Sequence, residues 1–165
     1  MIAGTETMVR MGELALSTTP GEVLVSIGLG SCIGLAVLDQ RRGIAGLAHI
    51  MLPGGNGARG LEGGPAKYAD SAVPELVDQL VGLGASRGEL EAVLVGGAQM
   101  FSGGGSGLDI GARNDEATRR LLDDAGIPIR AAETGGTSGR TIRVHVSPAL
   151  VTTKEVGGKE VPLYS

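Results

Sequence analysis

The sequence predicts an α+β sandwich, in which mixed and largely antiparallel β-sheet packs against two main helices. Short runs rich in Val, Ile and Leu recur along the chain between turns that contain Gly, which is the pattern of strands. Two longer segments instead space their apolar residues at helical periodicity. The length of 165 residues suits one hydrophobic core, so we expect residues 1–165 to form a single domain.

The first half of the chain predicts four strands followed by one helix. The strands are expected at 8–17, 22–27, 33–38 and 44–52. The third and fourth are apolar and flank the polar residues 39–43, which predicts a buried hairpin. A helix is expected at 67–83, where small and apolar residues recur at helical spacing. Pro74 either kinks this helix or lies in the first turn of a shorter one.

The second half predicts one strand, a second helix and then three more strands. The helix is expected at 111–125, and Gly126 and Pro128 close it. The strands are expected at 90–95, 127–132, 140–147 and 149–156. Two loops rich in Gly are expected at 53–65 and 102–107.

Charge and composition exclude several classes of protein. Lys and Arg number 14 against 18 Asp and Glu, and the basic pairs are isolated, so we expect no nucleic-acid partner. No apolar run approaches the roughly 18 residues of a membrane span, and the N-terminus lacks a signal-peptide pattern. We therefore expect a cytoplasmic protein without membrane insertion. The single cysteine, Cys32, forms no internal disulfide and is available only as a thiol.

Glycine is unusually abundant, at 30 of 165 residues against an ordinary share of about 7%. Gly28 to Gly34 spells G-x-G-x-x-x-G, which is one residue longer than the dinucleotide-binding motif and precedes an apolar run rather than a helix. Neither glycine-rich loop ends in the Gly-Lys-Ser/Thr of a phosphate-binding loop. The glycines therefore favour tight turns and close backbone approach, and a nucleotide-binding function rests only on these fragments.

Cys32 and His49 lie near the two ends of the predicted hairpin. If residues 39–42 form a four-residue loop, Leu38 pairs with Gly43 and Cys32 lies directly opposite His49, with Cβ atoms about 4.5–5.5 Å apart. A five-residue loop places the two side chains on opposite faces. Alternatively, Cys32 starts a helix, whose N-terminal dipole favours a thiolate. The spacing leaves these alternatives open.

The chemistry of these residues has a structural and a catalytic interpretation. Alone, Cys32 is typical of a small buried hydrophobe, and His49 of a hydrogen-bonded core histidine. Together, they are the minimal pair of nucleophile and base. His145 alternates with apolar residues in a late strand and is interpreted as structural. No Cys, His and carboxylate cluster has metal-ligand spacing, so no metal or other cofactor is expected.

Several separated motifs resemble one known family. In order along the chain, they are IGLGSC at 27–32, GLAHIMLP at 46–53, KYAD at 67–70, GGAQMF at 96–101, IGARN at 110–114, and Gly135-Gly136 with Gly139-Arg140. They resemble the chemoreceptor glutamine deamidases, the CheD family, over roughly residues 10 to 155. The resemblance implies a fold of cysteine-hydrolase type. It also implies deamidation of particular Gln side chains on methyl-accepting chemotaxis receptors to Glu, with a methylesterase activity in some members.

The resemblance also implies which residues act. The family nucleophile and base match Cys32 and His49, and the family hydroxyl residue falls on Ser26, where many members carry Thr. Ser26 is expected to orient His49, whose imidazolium is expected to lower the pKa of the thiol. The backbone N–H groups of Gly30, Ser31 and Cys32 are expected to stabilise the oxyanion. The expected partners are the cytoplasmic helices of the receptors and, in some members, a CheC-type phosphatase; self-association is not expected. A non-catalytic role as a CheC-binding module is the alternative.

Overall fold

The structure of this chain is a computed structural model that describes residues 5–55, 63–100 and 109–165. In this part of the chain, two five-stranded sheets lie face to face, and two helices cover the outer face of the second sheet. The strands are β1 (Glu6–Met8), β2 (Leu14–Ser17), β3 (Val23–Leu29), β4 (Ile33–Asp39), β5 (Ile44–Ile50), β6 (Glu91–Gly96), β7 (Ile129–Thr134), β8 (Arg140–His145), β9 (Leu150–Glu155) and β10 (Glu160–Tyr164). The helices are α1 (Ala69–Gly82) and α2 (Ile110–Asp124), and a short 3-10 helix spans Arg87–Glu89.

The two sheets are mixed and largely antiparallel. The first sheet has the order β1-β3-β8-β9-β10, and the second has the order β2-β5-β4-β6-β7. Only the β1–β3 and β6–β7 pairs are parallel among the strands described. The predicted α+β sandwich with two main helices is therefore confirmed.

The second sheet is buried on both faces. Leu35 and Val37 of β4 pack toward the helices, whereas Ala36 and Leu38 pack toward the first sheet. Every residue of β4 and β5 is buried, which explains their almost uninterrupted apolar sequences. The layer between the two sheets, which we call the inter-sheet core, also contains Leu24.

The predicted strand at 8–17 is wrong, because residues 9–13 are not in a strand and separate β1, which ends at Met8, from β2 in the other sheet. β1 pairs with β3 in the first sheet, and β2 pairs with β5 in the second. Gly12 lies between them with φ +82°, a conformation that favours glycine. A Cβ atom at Gly12 would lie only 1.7 Å from the Gly63 carbonyl oxygen. The chain therefore leaves the first sheet after β1 and enters the second at a position that only glycine fits.

The hairpin of β4 and β5 is confirmed, and its register is neither of the two that the spacing left open. Asp39 pairs with Ile44, and Gly34 pairs with His49, so the turn comprises residues 40–43. Asp39 stays in the strand because its fully buried carboxylate accepts hydrogen bonds from the Ser86 N–H at 2.8 Å and from Arg42. Cys32 therefore does not lie directly opposite His49.

The structure differs from several smaller expectations or does not cover them. β10 was not predicted; it is an edge strand that contains Pro162 and has mostly exposed side chains, so it lacks the apolar pattern of the other strands. Pro74 lies inside α1 and past its first turn, so the alternative of a shorter helix is wrong. The expected loop at 102–107, and residues 56–62 of the other glycine-rich loop, lie outside the described residues. Among those described, no helix is long and apolar enough to cross a bilayer.

Candidate active site

One backbone carbonyl, that of Val9, holds two of the predicted site residues. Val9 follows β1, and its N–H donates to the Val25 carbonyl of β3 at 2.7 Å. The Ser26 hydroxyl donates to the Val9 carbonyl at 2.7 Å, and Nδ1 of His49 lies 3.0 Å from the same oxygen. Because a carbonyl oxygen only accepts, Nδ1 carries the proton in this contact. Nε2 of a neutral His49 is therefore the ring nitrogen with a free lone pair.

His49 is held tightly and is almost completely buried. Its backbone N–H donates to the Glu13 carbonyl, and its own carbonyl accepts from the Gly12 N–H, both at 2.9 Å. The side chain is 3% exposed, and Nε2 has no hydrogen-bond partner within the described residues. Burial lowers the pKa of His49, and the hydrogen bond to Val9 opposes this effect only in part. The imidazole at rest is therefore a neutral base with an unoccupied nitrogen.

Cys32 lies in the short turn before β4 and packs against the inter-sheet core, which is the layer that His49 and Ser26 also face. The chain continues directly into β4, so the alternative in which Cys32 starts a helix is wrong. The thiol is free and half-buried, and burial raises its pKa. This direction is opposite to the expected lowering by an imidazolium. The structure contains no hydrogen bond between Cys32 and His49.

The turn that carries the thiol, which we call the cysteine loop (Gly30, Ser31 and Cys32), is fixed through its carbonyl groups. All three carbonyl oxygens accept hydrogen bonds from the segment just after β6 or from α2. The pairs are Gly30 with the Ala98 N–H at 2.8 Å, Ser31 with Asn114 Nδ2 at 2.8 Å, and Cys32 with the Gly97 N–H at 2.9 Å. The three N–H groups of the loop donate to no residue that the structure describes. The cysteine loop is thus anchored by its acceptors, and none of its N–H donors is used within residues 5–55, 63–100 and 109–165.

The end of β6 approaches this loop closely. A Cβ atom at Gly96 would lie 2.2 Å from the Cys32 carbonyl oxygen, and Gly96 has φ +116°. Only glycine permits both the contact and the backbone conformation. This contact supports the prediction that the glycines serve close backbone approach.

Similarity to known proteins assigns this chain to a family. The family described as CheD chemotactic sensory transduction matches residues 51–155. A probable chemoreceptor glutamine deamidase CheD of Symbiobacterium thermophilum is 44% identical, and the alignment covers 92% of this chain and 93% of that protein. This chain belongs to the CheD family. The chemoreceptor glutamine deamidase CheD of Thermotoga maritima is 39% identical over 93% of this chain and 94% of its own length. A probable CheD of Desulfitobacterium hafniense is 46% identical, with coverages of 92% and 94%.

In this CheD-family chain, two contacts at the site lie outside the predicted set. The Val9 carbonyl has no sequence signal, because every residue carries a carbonyl group. Asn114 lies within the IGARN motif, and its polar amide in a predicted helix was the sequence signal that could have pointed to it. The structure shows that this amide is buried. Nowhere in residues 5–55, 63–100 and 109–165 do three His, Cys, Asp or Glu side chains form a group that could hold a metal ion.

Proposed function

We propose that this chain deamidates particular Gln side chains of chemotaxis receptors to Glu and releases ammonia. The observation that carries the proposal is the state of His49, whose Nδ1 is anchored while Nε2 is buried, has no partner among the described residues and lies in the layer that also contains Cys32. Relatives named as chemoreceptor glutamine deamidases are 39–46% identical over nearly the whole chain, which supports the same reaction.

In the first half of the reaction, the Cys32 sulfur attacks the carboxamide carbon of the Gln side chain. Burial favours a neutral thiol and a neutral imidazole at rest, so His49 Nε2 accepts the thiol proton as the S–C bond forms. The electron pair of the C=O π bond moves to oxygen and gives a tetrahedral oxyanion. This step requires the thiol to move within hydrogen-bond reach of Nε2, a contact that often tightens only when substrate binds.

In the second half, the intermediate collapses and is hydrolysed. The C–N bond breaks while His49 returns its proton to the leaving nitrogen, which departs as ammonia. A thioester between Cys32 and the substrate remains. Water then attacks this thioester, His49 accepts a proton from the water, and the thiol is regenerated as Glu is released. A glutamyl methyl ester forms the same thioester with Cys32 and releases methanol instead of ammonia. This reaction is the basis for the proposed methylesterase activity.

The other predicted residues have supporting roles in this proposal. The N–H groups of Gly30, Ser31 and Cys32 stabilise the oxyanion, and each donor that points at it contributes about 2.7–4 kcal/mol. Ser26 acts on His49 indirectly, because its hydroxyl fixes the Val9 carbonyl that holds Nδ1. Ser26 is therefore a positioning residue in this reaction.

The setting of the reaction is also part of the proposal. The substrate is a Gln on the cytoplasmic helices of a receptor, which places the chain in the cytoplasm. Pairing with a CheC-type phosphatase, a monomeric state and a single domain over residues 1–165 stay predictions. The single domain is supported by the second sheet, whose residues contribute to the cores on both of its faces.

The test is a deamidation assay on a receptor cytoplasmic fragment. Mass spectrometry of the digested fragment should show Gln converted to Glu at a few defined positions, with ammonia released in equal amount. A protein that leaves every Gln unchanged but binds a CheC-type phosphatase would contradict the proposal and support the non-catalytic alternative.

A further inference from the structure

Asn114 connects the two segments that carry the proposed nucleophile and base. It lies on α2, is fully buried and uses its amide nitrogen for two hydrogen bonds. One goes to the Ser31 carbonyl at 2.8 Å, and the other goes to the Met51 carbonyl at 2.9 Å. Ser31 immediately precedes Cys32, and Met51 lies two residues after His49. One side chain therefore fixes both segments to the same helix.

The other end of this amide shows that packing does not explain it. Oδ1 of Asn114 is buried and accepts no hydrogen bond from the described residues. A buried polar atom without a partner costs free energy, so a position with only a packing role favours an apolar side chain. Asn114 is therefore explained by the two carbonyl groups that its nitrogen binds.

We propose that Asn114 is a positioning residue that sets the direction of the Cys32 backbone N–H. The peptide bond between Ser31 and Cys32 is trans, so its carbonyl and its N–H point in opposite directions. By holding the Ser31 carbonyl against α2, Asn114 directs the Cys32 N–H away from the helix, where no described residue accepts from it and an oxyanion can bind. This inference rests on the proposed function, because an oxyanion forms only if Cys32 attacks a carbonyl carbon.

Within the cysteine loop, the neighbouring contacts confine the effect of Asn114 to this one peptide. The Ala98 and Gly97 N–H groups hold the carbonyls before and after it, at 2.8 and 2.9 Å. These contacts remain when the Asn114 amide is removed, so the Ser31–Cys32 peptide is free to rotate while the thiol keeps its place. The expected defect lies in the stabilisation of the transition state and not in the reactivity of the thiol.

Two variants test this inference. Asn114→Leu keeps a similar volume without a donor, and Asn114→Asp keeps the shape but replaces the donor nitrogen with oxygen. Deamidation kinetics on the receptor fragment are compared with the rate at which iodoacetamide alkylates Cys32, because alkylation passes through no oxyanion. We expect kcat to fall by about 10²-fold or more, while KM and the alkylation rate stay within about threefold of the wild type.

Thr118→Val is the matched control. Thr118 is also fully buried, lies one turn further along α2 and donates its hydroxyl to the Asn114 backbone carbonyl at 2.8 Å. It is expected to keep wild-type kinetics. The inference is overturned if folded Asn114→Leu keeps the wild-type kcat, if deamidation and alkylation fall in parallel, or if Thr118→Val loses as much activity.

A crystal structure of Asn114→Leu separates this inference from the proposed function. A rotated Ser31–Cys32 peptide supports the positioning role even if the wild type deamidates nothing, in which case only the proposed function fails. A peptide that keeps its Ser31 carbonyl against α2 overturns the inference, whatever the activity of the wild type.

Discussion

Ser26 and His49 hydrogen-bond to the same backbone oxygen, the carbonyl of Val9, and not to each other. The expected arrangement, in which a hydroxyl side chain orients the imidazole, is thus replaced by one in which a carbonyl does so directly. Ser26 keeps this carbonyl in place from the other side. The imidazole tautomer is set by the backbone, which cannot change its protonation with pH.

The first prediction concerns Ser26→Ala. Without the hydroxyl, the Val9 backbone is still held by the hydrogen bond from its N–H to the Val25 carbonyl at 2.7 Å. The contact between His49 and Val9 therefore weakens only in part, and we expect kcat/KM to fall by less than about tenfold. The free energy of unfolding should fall by about 1 kcal/mol, for one lost hydrogen bond. Deamidation kinetics and urea unfolding measure the two effects. A folded Ser26→Ala protein that loses more than about 10³-fold in kcat would show that Ser26 acts on His49 directly.

The second prediction concerns the protonation of the resting site. Burial raises the pKa of Cys32, so its alkylation by iodoacetamide should have a midpoint above the ordinary thiol value of about 8.5. Burial lowers the pKa of His49. The acid limb of the pH profile of kcat/KM should therefore have its midpoint below the ordinary histidine pKa of about 6.5. As the pH increases, activity should rise through the pKa of His49 and decline through the pKa of Cys32, because both groups act from their neutral forms.

A variant distinguishes this neutral pair from a resting thiolate–imidazolium pair. His49→Ala should leave the alkylation midpoint of Cys32 almost unchanged, because a neutral imidazole does not hold a thiolate. A wild-type midpoint well below pH 8 that rises in His49→Ala would contradict the neutral pair.

The third prediction concerns Gly96, whose added Cβ atom would overlap the Cys32 carbonyl. Gly96→Ala should both destabilise the fold by more than about 2 kcal/mol and reduce deamidation, since the cysteine loop must move. Gly126→Ala is the matched control, because Gly126 also has positive φ but no atom lies within 4 Å of its added Cβ. It should lose stability only. Equal activities for the two variants, measured where both are folded, would count against the anchored loop.

Most strands could be predicted because a buried strand appears in the sequence as a run of apolar residues. β4 and β5 are buried on both faces, and their runs are correspondingly clear. Their register stayed open because it depends on Asp39, whose buried carboxylate accepts a hydrogen bond from the backbone of Ser86, far along the chain. The split of the 8–17 segment was missed for a similar reason, since Gly12 is required by a contact with Gly63.

Residue type identified the reactive groups of the site but not what holds them. Cys32 and His49 are chemically distinctive, so a single sequence suffices to nominate them. Their supports are backbone groups, such as the Val9 carbonyl and the Gly97 N–H, which are the same for almost every amino acid. Contacts of this kind become visible only when the fold brings distant segments together.

The most direct test of the account is the deamidation of a receptor fragment by Cys32→Ala beside the wild type. Cys32 is the only cysteine of the chain, and replacing a small half-buried side chain by Ala should leave the fold intact. We expect the wild type to convert defined Gln residues to Glu, seen as the mass change from NH₂ to OH, and folded Cys32→Ala to convert none. Full activity in folded Cys32→Ala would contradict the thioester mechanism.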